Sequence, residues 1–335
     1  MTLPPGPDPP ALAQAVAYHR DPLGVLLRAR ARYGPRFTLR VTKPIVLVSD
    51  PAVMADANAG AARRAVLPLA SPRSLFGADG AEHTAERARW ENRFHQISDD
   101  AIAEIAERHI AAWPRGRPFR LLERMRDIAS DVFGRLILRA DDPDAYVAAV
   151  RRMLRTPGNP PLPVPAALDP VFQWRAAPLR ALLGEGADRM IVVCAAGQEP
   201  PAIALANVGY EWARRGGELT PRFVDETLRL RPSASAALRE IDGETRALSS
   251  LLAHHDPKAF PDPHVFRTDR DYDHPLYMPF GGGVRRCVGE PLARAQLRAI
   301  PPLLPRLKAV HPRPERMVVR GTVLVPHRSA LVTAT

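Results

Sequence analysis

One short string, residues 280–289 (Phe-Gly-Gly-Gly-Val-Arg-Arg-Cys-Val-Gly), combines residue types that suit the presentation of a metal ligand. Its glycines allow tight turns and a close backbone approach to a flat object. Cys287 comes just before a predicted helix, whose positive end lowers the pKa of a thiol and favours the thiolate. Arg285 and Arg286 add positive charge beside it. A lone cysteine is more often a small packed hydrophobe, but in this frame Cys287 is suited to ligate iron.

The same string resembles the heme-binding signature of the cytochrome P450 superfamily, Phe-x-x-Gly-x-Arg-x-Cys-x-Gly, at every fixed position. The resemblance implies heme b as cofactor, Cys287 as the axial thiolate of the iron and Arg285 at a heme propionate. Phe280, Gly281 and Gly289 complete the implied cofactor-binding loop. A thiolate ligand pushes electron density towards O–O cleavage.

Three cationic side chains upstream match positions that face the heme propionates in this family. His83 and Arg87 lie one turn apart in residues 79–87, which resemble the start of the family's C helix, and Arg239 matches another propionate arginine. Buried carboxylates need such partners because unpaired buried charges are costly. Without the cysteine string, His83 and Arg87 would be typical of a solvated helix face.

Glu226 and Arg229 resemble the Glu-x-x-Arg pair that stabilises the family's core on the thiolate side of the heme. Their spacing places both side chains on one helix face. The third partner normally comes from a Pro-x-x-Phe segment, here residues 263–266, where valine occupies the position that often carries arginine. We therefore expect His264 or Arg267 to complete this cluster.

Residues 196–201 (Ala-Gly-Gln-Glu-Pro-Pro) depart from the family's (Ala/Gly)-Gly-x-(Asp/Glu)-Thr motif on the long helix above the heme. Glu199 retains the acid, and Pro200 replaces the alcohol. In the family this acid–alcohol pair organises water and delivers protons, so we assign Glu199 as general acid/base. Because proline lacks an N–H, the two prolines predict an interrupted, kinked helix with carbonyls open to water or substrate.

Helical periodicity dominates the first two thirds of the chain, and loops and short alternating strands follow. Helices are predicted at residues 22–33, 80–96, 99–113, 120–139, 144–155, 186–215 (interrupted), 220–230 and 289–300. Hairpins are predicted at residues 36–49 and 317–332. The fold class is mainly α with a minor β portion, and the resemblance implies a cytochrome P450-like heme-thiolate fold in a single domain over residues 1–335.

The chain is short for this family, and the missing length falls in three regions. The F–G region is compressed into the proline-rich residues 157–170, residues 216–219 leave no room for a J helix, and the strands after Arg239 are trimmed. Because the F–G region covers the substrate pocket in this family, we expect a more open pocket or a large, carrier-bound substrate.

Composition excludes several protein classes. With 46% hydrophobic and 25% charged residues, the chain has the composition of an ordinary globular protein. Its 2 cysteines cannot build a disulfide framework, and this scarcity of cysteine favours the cytoplasm as its location. The net charge of +11 would suit nucleic acid, but the arginines are dispersed and not interleaved with aromatics. We see no membrane-length apolar run and no signal peptide, so we expect neither a nucleic-acid nor a membrane partner.

The leading function is oxidation of a small organic metabolite by a monooxygenase, in specialised-metabolite biosynthesis. Electrons would come from a ferredoxin and its ferredoxin reductase, which a basic surface suits. Because Pro200 replaces the alcohol, the main alternative is a peroxide-dependent or substrate-assisted enzyme that performs coupling, dehydration or rearrangement. A second alternative is a heme-binding scaffold without turnover.

Overall fold

The computed structural model describes residues 3–41, 44–59, 63–64, 74–154, 170–241, 243–311, 316–320 and 323–335. Its helices are α1 (Ala11–Arg20), α2 (Pro22–Tyr33), α3 (Pro51–Ala59), α4 (Gly80–Phe94), α5 (Asp99–Ala111), α6 (Leu121–Val132, continued by a π-helix over Phe133–Leu138), α7 (Pro143–Leu154), α8 (Pro170–Leu183), α9 (Ala187–Arg215), α10 (Pro221–Leu230), α11 (Ser250–Ala253) and α12 (Glu290–Ala299). The mainly α class predicted from the sequence is confirmed.

Nine strands form three small sheets in the described part of the chain. They are β1 (Arg36–Arg40), β2 (Pro44–Val48), β3 (Arg63–Arg64), β4 (Ala237–Ile241), β5 (Glu244–Leu248), β6 (Leu307–Ala309), β7 (Met317–Arg320), β8 (Val323–Pro326) and β9 (Val332–Ala334). The largest sheet has the order β1-β2-β5-β4-β3, with β2 parallel to β5. The predicted hairpin of β1 and β2 is confirmed.

The carboxyl-terminal hairpin was predicted with the wrong partners. β7 pairs with β8, whereas β9 pairs with β6, with Leu307 opposite Ala334. Both strands of this second pair are short, and the alternation of a strand does not encode which partner it meets.

Local residue chemistry explains where the site-bearing helices begin. Thr220 caps α10 by accepting a hydrogen bond from the Phe223 N–H at 3.2 Å, and Pro221 occupies the first turn, where its missing N–H is not needed. No helix lies between α9 and α10 in the described residues 216–220. Most of the proline-rich F–G stretch, residues 155–169, lies outside the described residues.

α9 is the central helix, and it packs against α6, α8, α10 and α12. An 18-residue window of α9 has a mean hydropathy of 1.3, so a membrane-length apolar segment exists, contrary to the sequence-based expectation. Within the fold 78% of that window is buried, as in the core helix of a globular protein. The helices meet closely at Gly197, where a Cβ would collide with the Phe133 ring.

The predicted interruption of α9 was wrong, because the helix runs through Pro200 and Pro201 without a break. Proline has a helical φ, so its cost is a lost donor and local crowding rather than an impossible backbone. Pro201 and Ala202 are buried in the surrounding helices, and this packing holds the turn in place.

Candidate active site

The cysteine loop has the backbone that its sequence predicted. Gly281 and Gly283 adopt φ values of 70° and 61°, a left-handed conformation that favours glycine. The Cys287 N–H donates to the Phe280 carbonyl at 2.9 Å, which closes the loop. α12 begins at Glu290, so Cys287 lies just before a helix amino terminus.

The electrostatics of Cys287 differ from the prediction. The side chain keeps solvent exposure, yet desolvation by the protein atoms around it raises the pKa of the thiol. The Gly289 N–H, Arg87 and Arg286 act in the opposite direction and are outweighed. The helix end is therefore outweighed by desolvation in the protein alone, whereas a coordinating metal cation would remove the proton of the thiol.

The four predicted propionate ligands lie on three separate elements that the fold brings together. Arg285 donates to the Ala78 carbonyl at 2.8 Å and forms an ion pair with Asp79, while His83 follows on α4. Burial lowers the pKa of His83, and Arg285, Arg87 and Arg239 lower it further.

Arg239, on β4, is the member of this group with an unmet hydrogen bond. Burial and nearby Arg285 lower the pKa of Arg239 to about 10. Its Nη1 donates to the Leu238 carbonyl at 2.9 Å, and its buried Nε has no partner among the described residues. Arg87 instead contacts the cysteine loop, donating to the Arg286 carbonyl at 2.6 Å.

The Glu226–Arg229 pair is buried and bidentate, with both N–H···O distances at 2.8 Å. Neither side chain is exposed. Arg229 also donates to the His254 carbonyl at 2.6 Å and to the Pro263 carbonyl at 2.9 Å, so it joins α10 to two loops. This role is structural, as the sequence predicted.

The third member of this cluster was predicted wrongly. Arg270 Nε donates to Glu226 Oε1 at 3.1 Å from a buried position. The Arg267 side chain pairs with Asp269, and only its backbone N–H reaches Glu226, at 2.9 Å. His264 stacks on a neighbouring histidine ring instead. An arginine four residues after Phe266 was the sequence feature that could have identified Arg270.

Glu199 lies in a buried ion pair that joins α9 to α6. Arg126 Nε donates to Glu199 Oε2 at 2.8 Å, and Arg126 Nη2 bonds the other carboxylate oxygen. Burial would lower the pKa of Arg126, but Glu199 and Glu123 outweigh it and raise that pKa above its usual value. A carboxylate held by an arginine is a poor proton donor, so the geometry does not favour the acid/base role of Glu199, which stays a prediction.

One face of α9 is only half-buried beside Pro200, and we call it the open face. Ala196 and Pro200, one turn apart, are half-buried, whereas Gln198 and Glu199 between them are buried. The Ser233 hydroxyl, from the loop after α10, donates to the Pro200 carbonyl at 2.8 Å. Nothing in the sequence singled out Ser233.

Comparisons with known proteins agree with this site. The sequence profile of the family described as Cytochrome P450 matches residues 218–304, which include the Glu226 cluster and the cysteine loop. Two Mycobacterium tuberculosis proteins are similar along nearly the whole chain. "Putative cytochrome P450 135B1" is 26% identical over 99% of this chain and 91% of its own length. "Putative cytochrome P450 137" is 28% identical over 96% and 87%. The family match, these relatives and the solved structures described next support the cytochrome P450 superfamily.

Solved structures of P450 enzymes share the fold. Retinoic acid-bound cyanobacterial CYP120A1 superposes with a TM-score of 0.76 over 100% of both chains, at 20% sequence identity. The family match and the two relatives support an oxidoreductase of P450 type, and proteins of that family bind heme b.

The residues present fit a heme. In the described part of the chain no group of three or more His, Cys, Asp and Glu side chains could hold a metal ion. The cluster of His83, Arg239 and Arg285 carries more positive than negative charge and has an unpartnered N–H. Propionates are the anions that would balance it.

Proposed function

We propose that this P450 binds heme b with Cys287 as the axial ligand and oxidises a small organic metabolite as a monooxygenase. The observation that carries the proposal is the cation cluster next to the Cys287 loop, in which His83 and Arg239 are buried, Arg285 is half-buried, and the Nε of Arg239 has no partner among the described residues. His83, Arg239 and Arg285 would hold the propionates, and Arg87 would brace the loop through the Arg286 carbonyl. Phe280, Gly281 and Gly289 shape the backbone that carries the thiol.

The physiological setting follows from the family and from the composition. We propose a cytoplasmic enzyme of specialised-metabolite biosynthesis, with a small-molecule substrate that could be carrier-bound. A ferredoxin and its reductase would supply electrons, attracted by a chain of net charge +11. A single domain with shortened F–G, J-helix and post-K regions stays a prediction.

A second candidate function rests on Pro200. No alcohol follows Glu199 on α9, and Glu199 itself is paired with Arg126. Proton delivery by the usual acid–alcohol pair is therefore not available in its usual form. Hydrogen peroxide arrives already reduced, and a substrate hydroxyl or carboxylate can supply a proton, so peroxide-dependent or substrate-assisted chemistry is the alternative reaction type.

The test is the absorption spectrum of the dithionite-reduced protein under carbon monoxide, with Cys287→Ala and Cys194→Ala compared. We expect a strongly red-shifted Soret band in the wild type and in Cys194→Ala, and its loss in Cys287→Ala. Cys194 is the matched control because burial raises its pKa to about 12 and keeps it a thiol. A red-shifted band that survives in Cys287→Ala, or no heme after expression with added heme, contradicts the proposal.

Turnover then separates the reaction types. Product formed with ferredoxin, its reductase and oxygen supports the monooxygenase, and product formed only with hydrogen peroxide supports the alternative. A heme-loaded protein that yields no product with either oxidant, across a panel of small metabolites, supports the scaffold.

A further inference from the structure

Two hydrogen bonds fix Ser233 beside α9, one through its backbone and one through its side chain. Its backbone carbonyl accepts a hydrogen bond from the Leu324 N–H at 2.8 Å, which fixes the loop to β8. Its hydroxyl donates to the Pro200 carbonyl at 2.8 Å, and the side chain stays half-buried rather than sealed in the core. The hydroxyl is therefore ordered and lies on the open face of the helix.

The direction of this hydrogen bond determines what else Ser233 can bind. A serine hydroxyl has one proton and two lone pairs, and the proton is committed to the Pro200 carbonyl. The oxygen can then only accept, so it favours a partner with an O–H or N–H.

The surrounding helix turn is also rich in acceptors. Pro200 and Pro201 carry no N–H, so the carbonyls of Ala196 and Gly197 lose the donors that other residues at positions 200 and 201 would supply. Ala196 and Gly197 are half-buried, on the part of α9 that opens. A water molecule, with two protons to donate, fits this array of acceptors better than any anion does.

We propose that Ser233 supplies, from the loop after α10, the hydroxyl that α9 lacks at position 200, and that it positions a water molecule at this turn. Ser233 is thus a positioning residue that acts through the water. The inference rests on the proposed function, because the water matters only where the open face of α9 borders the heme.

The test is a matched pair of variants, Ser233→Thr and Ser233→Val, which have nearly the same shape and differ in the hydroxyl. The measurement is the ratio of low-spin to high-spin ferric heme in the absorption spectrum, which reports water retained at the heme. We expect Ser233→Thr to keep the wild-type ratio. In Ser233→Val we expect a fall of about threefold to tenfold, the equilibrium effect of one hydrogen bond.

Two further variants separate positioning from loss of packing. The Ser250 hydroxyl donates a similar bond to the Ala234 carbonyl at 3.0 Å, in the loop that carries Ser233 and not on α9. Ser250→Ala removes that bond, and we expect no change in the spin ratio. Pro200→Thr restores a hydroxyl on α9, and in that background Ser233→Val should no longer lower the ratio.

The inference is overturned if Ser233→Thr and Ser233→Val give the same ratio, or if Ser250→Ala gives the shift of Ser233→Val. If Ser233→Val does not incorporate heme, Ser233→Ala replaces it in the comparison and must show the same fall. A wild-type protein that binds no heme refutes the proposed function and this inference together. A wild-type protein with heme and a ratio insensitive to Ser233 refutes the inference alone.

Discussion

Two arginine clusters in this protein differ in whether the arginines share a buried carboxylate. A cluster with such a carboxylate is called balanced here and a cluster without one unbalanced, although each carries a net positive charge. Around Glu226, Arg229 and Arg270 share one carboxylate, and both guanidinium groups donate their remaining N–H groups to backbone carbonyls. Around Arg239, burial and Arg285 lower the pKa of Arg239, burial and both arginines lower the pKa of His83, and the buried Nε of Arg239 is left without a partner in the described structure.

The difference indicates two roles for the same residue type. A balanced cluster is complete in the polypeptide itself and stabilises the fold. An unbalanced one costs free energy in the protein alone and suits an anion from outside the chain. Removing one charged residue should therefore destabilise the fold in the first cluster. In the second cluster it should leave the heme-free fold intact and weaken the hold on heme.

The largest effect is expected in the balanced cluster. Glu226→Gln leaves Arg229 and Arg270 buried without a counter-charge, and we expect it to lower the free energy of unfolding by about 3–5 kcal/mol. Urea unfolding measures the change. Asp269→Asn, in the exposed pair with Arg267, is the control and should leave the unfolding midpoint unchanged. Equal stability of Glu226→Gln and the wild type would remove the contrast between the clusters.

A second balanced cluster, at the end of α9, extends the comparison to pH. Burial alone would raise the pKa of Glu211, but Arg231, Arg215 and Arg214 lower it from 4.5 to about 2. A carboxyl with a depressed folded pKa stabilises the fold above its unfolded pKa, and that stability is lost as pH falls towards the folded value. At 1.36 kcal/mol for each pKa unit, the contribution at pH 7 is roughly 3 kcal/mol.

Urea unfolding of the wild type and Glu211→Gln from pH 7 to pH 3 checks this value. The difference in stability between the two proteins should be constant down to about pH 5 and roughly halve by pH 3. A difference that does not change with pH would show that Glu211 contributes by packing rather than by charge.

The smallest effect on the fold is expected in the unbalanced cluster. Arg239→Met removes a guanidinium whose pKa is lowered by burial, so the heme-free protein should be as stable as the wild type or more stable by about 1 kcal/mol. The heme-loaded protein should instead transfer its heme to a scavenger protein about tenfold faster, the effect of one lost charge-assisted bond. A destabilised heme-free variant with unchanged heme transfer would place Arg239 among the structural arginines.

Features encoded within a few residues were predicted correctly from the sequence. The cysteine loop needs glycines at left-handed positions and a helix directly after it, and both requirements are visible in consecutive residues. α10 was predicted with its cap because Thr220 and Pro221 mark a helix start by themselves. The fold also brings together Arg285, His83 and Arg239, whose role at the heme propionates stays a prediction.

Predictions failed where a partner comes from far along the chain. Arg270 lies 44 residues from Glu226, Arg126 lies 73 residues from Glu199, and Ser233 lies 33 residues from Pro200. The continuity of α9 was missed because packing outweighed the local penalty of two prolines.

The sequence by itself predicted the helical class, the resemblance to P450 proteins and the thiol that is proposed as heme ligand, because these depend on periodicity and on a contiguous string of residues. Only the tertiary structure decided which charges are paired. Glu199 is bound by Arg126, Arg239 keeps an unpartnered nitrogen, and a serine from another element reaches the turn where the helix has a proline. The physical reason is that a buried polar group bonds whichever partner the tertiary fold brings within hydrogen-bond distance. The residues on either side of that group in the sequence do not determine which partner this is.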